Sequence, residues 1–270
     1  MSESLKAKAE ALLALHHGER PLVLPNVWDA GSAKIIGNAG FPAIATTSAG
    51  VAYTMGRADG QQVSLIEMLA AVQRIAAAVR VPVTADMEAG YGDVVATVNG
   101  LLDAGAVGLN LEDMDGDRQV PLDEQMRRIR AVRAAAQQRG VHIVINARTD
   151  VFLARVGPEE TRFDRAVDRL RAFATAGADC LFAPGVVQEP AIARLVQALP
   201  LPLNILATAG SPPLQRLQDL GVKRVSLGSG PARAALSVAQ AVARELLDHG
   251  TYSLIEKATL TYPAAQQLFK

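Results

Sequence analysis

Short β-rich runs alternate along the whole chain with longer segments in which apolar residues recur every three or four positions. The runs LVLPN (22–26), PAIATT (42–47), PVTAD (82–86), VGLNLE (107–112), VHIVINA (141–147), DCLFAP (179–184), LPLNIL (201–206) and KRVSLG (223–228) read as eight strands. Between them lie amphipathic stretches such as SLIEMLAAVQRIAAAV (64–79) and LDEQMRRIRAVRAAAQQR (122–139), which read as helices with one apolar face. A phrase recurs at the joints: NAGFPAI, DAGAVGL, TAGADCL and DLGVKRV each place a glycine where a helix must stop and the next strand begin. Strand, helix and strand in unbroken alternation predict a parallel sheet with helices outside. Eight such units in 270 residues predict an α/β fold, a single (β/α)8 TIM barrel over 1–270. An N-terminal helix (4–16, within residues 1–20) precedes the barrel, and a C-terminal helical extension (250–270) follows it.

Composition narrows what such a barrel can do. Half of the residues are hydrophobic and a fifth are charged, the balance of a folded globular chain. The 27 basic side chains equal the 27 acidic ones, so no net field draws in nucleic acid or an anionic membrane. Aromatic residues, at 4%, supply few stacking surfaces for bases. No apolar run approaches the roughly 20 residues of a membrane span. The opening SESLKAKAE lacks the apolar core of a secretion signal. The single cysteine, Cys180, allows no internal disulfide and fits a reducing cytoplasm, where the protein is expected to reside.

In a TIM barrel chemistry sits at the C-terminal ends of the strands. Here those ends are acidic: Asp86 closes the third strand with Glu88 just beyond, Glu112 and Asp113 follow the fourth, and Asp59 lies in the loop after the second. Carboxylates aimed at one mouth repel each other, and a divalent cation satisfies them; an oxygen-only set suits magnesium or manganese rather than zinc. The four histidines fall away from the expected mouth and no lysine ends a strand, which argues against a histidine base and a Schiff-base amine. Arg148, at the end of the fifth strand, either clamps a substrate carboxylate or phosphate or neutralises the acidic cluster itself. The small residues Ser48, Ala49, Gly50 and Val51 would let backbone amides approach an oxyanion, and Gly228, Ser229 and Gly230 precede a helix start that could take a phosphate. DMDGDRQVPLDE (113–124) imitates a calcium loop but has Arg118 where that loop turns on glycine, so it reads as a polar lid.

The segments PNVWDAGSA (25–33), TTSAGVAYTMGRADG (46–60), ADMEAGYGD (85–93), GLNLED (108–113), INARTD (145–150) and PLN (202–204) resemble, in order and at strand ends, the isocitrate lyase/phosphoenolpyruvate mutase superfamily. The resemblance covers nearly the whole chain. It implies a magnesium-dependent enzyme that breaks or forms a bond beside the carbonyl of a 2-oxo acid through a pyruvate-like enolate. By motif match Asp86 would hold the metal directly, and Asp59, Glu88 and Glu112 largely through water. Ser48 with the Gly50 and Val51 amides would cradle the substrate, and Arg148 and Asn204 would bind it further out. Asp59, Glu112 and Arg148 are the residues expected to carry catalysis.

Departures from the family pattern narrow the branch. Isocitrate and methylisocitrate lyases carry a Lys-Lys/Arg-Cys-Gly-His lid whose thiol protonates the enolate; here the lid reads EDMDGDRQVP and has no thiol. Cys180, at the start of the sixth strand, reads as a small buried hydrophobe. The expectation is a carbon–carbon lyase or decarboxylase acting on a small 2-oxo or 2-hydroxy dicarboxylate such as oxaloacetate. Phosphoenolpyruvate mutase or phosphonopyruvate hydrolase chemistry is the alternative, as is a 2-oxo acid-binding protein without turnover. Leu254, Ile255, Leu260, Tyr262 and Leu268 follow the last barrel unit and need a surface to cover them. In the resembled family the C-terminal helices exchange between subunits, which implies a homodimer or homotetramer.

Overall fold

A computed structural model describes residues 4–270. Helix α1 (Leu5–Leu15) leads into β1 (Leu22–Leu24), β2 (Asn26–Val27), α2 (Ala30–Asn38), β3 (Ile44–Thr46), α3 (Ser48–Thr54), α4 (Leu65–Ala78), β4 (Val83–Asp86), α5 (Val94–Asp103) and β5 (Gly108–Glu112). A small hairpin, β6 (Met114–Asp115) and β7 (Arg118–Gln119), precedes α6 (Leu122–Gln138), β8 (Val144–Arg148), α7 (Glu159–Ala176), β9 (Cys180–Phe182), α8 (Glu189–Ala198), β10 (Leu203–Leu206), α9 (Leu214–Asp219) and β11 (Arg224–Ser226). The chain ends in α10 (Gly230–His249), α11 (Ser253–Glu256) and α12 (Tyr262–Phe269).

The main sheet runs β1-β11-β10-β9-β8-β5-β4-β3-β2, and every pairing in it is parallel. Its two end strands are consecutive pieces of chain separated by Pro25 alone, so the sheet curls back on itself into a barrel. The first expected strand, 22–26, is therefore two segments, and the sheet has nine where the sequence predicts eight. Proline has no N–H to give a ladder, so β1 pairs with β11, the chain shifts at Pro25, and β2 pairs with β3. The glycines at the helix–strand joints behave as expected: Gly40, Gly105, Gly177 and Gly221 all have φ between 88° and 108°, in the region that side chains avoid.

Helix α1 seals the end of the barrel away from the mouth. Ser4 caps it through its Oγ, which accepts from the Ala7 amide at 3.2 Å, and Ala9 and Leu12 are buried. Gly108 makes room for it, since a Cβ there would lie 2.8 Å from Leu12 Cδ2. Residues 1–3 of the expected N-terminal segment lie outside the described residues. The 113–124 stretch is a hairpin turning on Gly116 and then the start of α6.

The C-terminal helices behave differently. Among α10 side chains only Ala232 is buried, and Leu236, Val238, Leu246 and Leu247 are exposed. Helix α12 rests on α2 of the same chain, with Lys34 Nζ donating to the Phe269 carbonyl at 3.2 Å, yet Tyr252, Ile255, Leu260 and Tyr262 remain exposed. Among the described residues no helix is long and apolar enough to cross a membrane.

Candidate active site

The strand ends enclose a cavity of about 280 Å³. Period-two alternation along each strand decides which side chains reach it. On β5 Asn110 and Glu112 point inward, on β8 Asn146 and Arg148, and on β11 Arg224 and Ser226; Asn110, Glu112, Arg148 and Ser226 line the cavity, and Asn146 and Arg224 lie a layer below. Asp86 arrives from β4, and Glu88 follows it in a turn closed by the Gly90 amide on the Met87 carbonyl. Glu88 has φ +48°, a strained backbone for a side-chain-bearing residue, and this turn sends its buried carboxylate to the Gln61 amide (2.5 Å) and the Tyr91 hydroxyl (2.9 Å).

Ser48 ties two of the acids together. Its Oγ lies 2.9 Å from Asp86 Oδ2 and 3.2 Å from Asp59 Oδ1, and its amide donates to the same Asp86 oxygen at 3.2 Å. Among the described residues the far oxygen of Asp86, Oδ1, receives only a long contact from Asn110 Nδ2 at 3.4 Å. Opposite, Arg148 pairs with Glu112 at 2.7 Å and grips Asp150 Oδ1 through Nε and NH2 at 3.0 and 2.7 Å. Its guanidinium also lies 5.7 Å from the centre of the Phe182 ring. Of the two roles open to Arg148, the structure displays the neutralising one. Leu153, Phe182 and Leu206 form an apolar wall.

One guanidinium does not balance this much negative charge. Burial pushes the Glu88 carboxyl up to about 7, with Asp86 and Asp59 adding to the rise and the Tyr91 and Gln61 hydrogen bonds opposing it. Burial likewise raises Glu112 well above the usual range, although Arg148 opposes it, and raises Asp150. Burial alone would lower Arg148, but Glu112 and Asp150 hold it firmly protonated. Among the described residues no three His, Cys, Asp or Glu side chains converge tightly enough to cage a cation by themselves. Glu112 is turned to Arg148 and Glu88 to Tyr91. The all-oxygen donors and the surplus buried negative charge nevertheless fit a hard divalent cation whose shell is completed by water.

Asp59, Asp86, Glu88, Glu112, Arg148 and Ser48 thus share one cavity. Other residues expected in the site lie elsewhere. The small-residue turn is the first turn of α3: the Gly50 amide donates to Thr47 Oγ1 (3.4 Å) and the Val51 amide to the Thr47 carbonyl (3.0 Å), so both serve the helix start. Val51 is fully buried in the core, and Gly50 faces Trp28, where a Cβ would clash at 2.7 Å. Asn204 lies a layer below the lining, bonded to Ser226 Oγ at 3.3 Å. Asp113 is buried outside the mouth, where it receives Thr149 Oγ1 (2.6 Å), the Asp150 amide (2.9 Å) and Arg169 Nε (2.5 Å), and so fixes the hairpin to the strand-eight loop. Sequence reading passed over Asp150, Asn110 and Asn26. The alternation GLNLE placed Asn110 on the same face as Glu112, and Asp150 stands in the INARTD motif itself. Asn26 Oδ1 accepts the Leu227 and Gly228 amides, both at 2.8 Å, which positions the loop before α10.

Comparison with known proteins gives a consistent picture. A family model described as phosphoenolpyruvate phosphomutase matches residues 12–247. A solved structure from Burkholderia cenocepacia, provisionally assigned as a lyase/mutase, is 35% identical with a TM-score of 0.92, covering 98% of this chain and 96% of its own. Another from the same organism, provisionally assigned as a phosphonomutase, is 41% identical with a TM-score of 0.84, covering 88% of this chain and 99% of its own. An oxaloacetate decarboxylase of Rhodopseudomonas palustris is 31% identical over 244 residues, 83% of this chain and 80% of the relative.

Proposed function

The chain belongs to the isocitrate lyase/phosphoenolpyruvate mutase superfamily, and from that premise we propose that it is a divalent-metal-dependent carbon–carbon lyase or decarboxylase acting on a small 2-oxo or 2-hydroxy dicarboxylate, oxaloacetate-like in form, through an enolate. The observation that carries this reading is the meeting of Asp59, Asp86, Glu88, Glu112 and Arg148 in one cavity at the strand ends. Relatives acting on such acids, the oxaloacetate decarboxylase among them, support the substrate class.

Asp86 would hold magnesium or manganese, with Asp59, Glu88 and Glu112 reaching it largely through water. When bound, the metal would draw negative charge from the substrate's keto oxygen and so ease rupture of the neighbouring bond. The chain's own groups do the rest. Ser48 orients Asp86 and Asp59 together. Arg148 already carries two carboxylate partners, so an incoming substrate carboxylate can replace one of them without leaving the guanidinium unpaired. Leu153, Phe182 and Leu206 exclude water from one side. The hairpin brings no thiol to the mouth, and Cys180 is buried with its thiol pushed up to about 12 by burial, so protonation of an enolate falls to another group or to water.

We further propose a homodimer or homotetramer in which the C-terminal extension (250–270) is exchanged between subunits, a reading supported by the exposed Tyr252, Ile255, Leu260 and Tyr262, whereas within the single chain α12 packs on α2. The phosphonate alternative is favoured by the similarity to the phosphonomutase-type structure. Incubating the protein and magnesium with oxaloacetate, other 2-oxo and 2-hydroxy dicarboxylates and phosphonopyruvate, followed by proton and phosphorus NMR, separates the readings. Chelator-sensitive carbon–carbon cleavage or decarboxylation is expected. Turnover of the phosphonate alone, or binding without turnover, would replace the lyase reading.

A further inference from the structure

Beneath the residues that line the cavity lies a polar layer closed off from solvent, and its largest member is Arg224. The side chain is fully buried, and among the described residues its contacts are to neutral groups: NH1 is 3.2 Å from His16 Nε2, NH2 donates to Asn110 Oδ1 at 3.2 Å, and Nε has no partner. A buried guanidinium without a carboxylate beside it is costly unless its charge or its donors are used. Burial lowers Arg224, and the field of Asp86 works against that.

The hydrogen bonds run in one direction only. His16 Nδ1 lies 2.8 Å from the Leu12 carbonyl, which can only accept, so the ring proton sits on Nδ1 and the lone pair of Nε2 faces Arg224. Burial and Arg224 hold this imidazole neutral, down to about 3. Asn110 Oδ1 accepts from both Arg224 NH2 and Asn146 Nδ2, the latter at 2.8 Å. A flipped Asn110 would set its NH2 against two donors, so its amide group is locked with Nδ2 towards Asp86 Oδ1. Ser48 holds the other oxygen of the same carboxylate.

We propose that Arg224 is a positioning residue of the site: through Asn110 it fixes the donor that orients Asp86, and through His16 it ties that donor to the N-terminal helix. The inference rests on the reading of Asp86 as the central ligand of the mouth. It makes α1, at the end of the barrel away from the mouth, part of the machinery that shapes the site.

Calorimetric titration of magnesium in the presence of oxalate, a planar dianion with the chelating oxygens of a 2-oxo acid, tests it alongside urea unfolding of the same variants. Arg224→Met is expected to weaken binding by the folded protein about tenfold or more, the usual consequence of losing a group that orients a ligand. Arg224→Lys should recover part of that loss. Combined with Asn110→Ala, Arg224→Met should add nothing to the loss caused by Asn110→Ala alone, because the two act as one unit. His16→Leu, which frees Arg224 from the far side and keeps the proposal testable if Arg224→Met does not fold, should weaken binding about threefold, the weight of one hydrogen bond. A role confined to filling the interior would lower urea stability and leave these affinities unmoved. Wild-type affinity in folded Arg224→Met or His16→Leu, or additive losses in the double variant, would overturn the proposal. Wild-type affinity in Asp86→Ala would instead overturn the reading of the site on which it rests.

Discussion

At the closed end of the barrel Asp179 accepts from Arg133 NH2 (2.5 Å), the Ile145 amide (2.8 Å) and His142 Nε2 (2.7 Å), while Arg133 also binds the Ile143 and Gly177 carbonyls. At the mouth Glu112 and Asp150 share the guanidinium of Arg148, and among the described residues Asp59, Asp86 and Glu88 have hydroxyl, amide and backbone donors but no basic side chain. One acid with three donors makes a structural clasp. Several acids around one cation make a site whose charge is completed by something that binds. The same barrel therefore spends polar side chains on stability at one end and keeps them incompletely paired at the other, and substitutions at the two ends should separate stability from affinity.

The largest stability effect is expected from Asp179→Ala. It strands Arg133 beneath the sheet and should lower the free energy of unfolding by about 3 kcal/mol in urea titrations, leaving magnesium–oxalate affinity of the folded fraction unchanged. A parallel loss of affinity would break the contrast between the ends. Acid should act next. His16 is held neutral in the native state, so below its ordinary value of 6.5 the unfolded chain takes up a proton that the native protein refuses. That contribution is intact above 6.5 and is lost progressively as pH falls towards 3, and His16→Gln should flatten that part of the stability–pH curve. At the mouth, Arg148→Lys should leave the melting temperature nearly unchanged but weaken oxalate binding about tenfold, since a point charge cannot replace a planar fork. An unchanged affinity would assign Arg148 to neutralising its two acids only. The smallest effect belongs to Cys180→Ser, which should cost about 1 kcal/mol by burying a hydroxyl and leave ligand affinity intact. Loss of affinity without loss of folding would mean that the thiol serves the site.

The rhythm of the fold was legible because its signals are local: a glycine at each helix end, an apolar run behind it, and amphipathic spacing between. Pro25 carried its own warning, since a strand cannot use a residue with no N–H in mid-ladder, and the division of the first strand follows from it. The acidic mouth was legible for the same reason, as strand ends can be counted off the sequence. What escaped depended on contacts between distant elements. Asp113 looks like another mouth acid until Arg169, 56 residues away, is seen to hold it. Gly50 and Val51 look like an oxyanion turn until Thr47 caps them into a helix. Arg224, in KRVSLG, carries no local signal of its role: the meeting of β11 with α1 and β5 buries it.

The central claim, that the mouth carboxylates are gathered to bind a divalent cation together with a 2-oxo acid, is tested most directly by the melting temperature of wild type and Asp86→Ala with magnesium, oxalate, both or neither. Binding to the native state alone raises stability by mass action, and at a hundredfold excess over the dissociation constant the gain is about 2.7 kcal/mol. Wild type should rise by several degrees only when both are present, and Asp86→Ala should not rise. A full shift in Asp86→Ala, or no shift in wild type, would contradict the account.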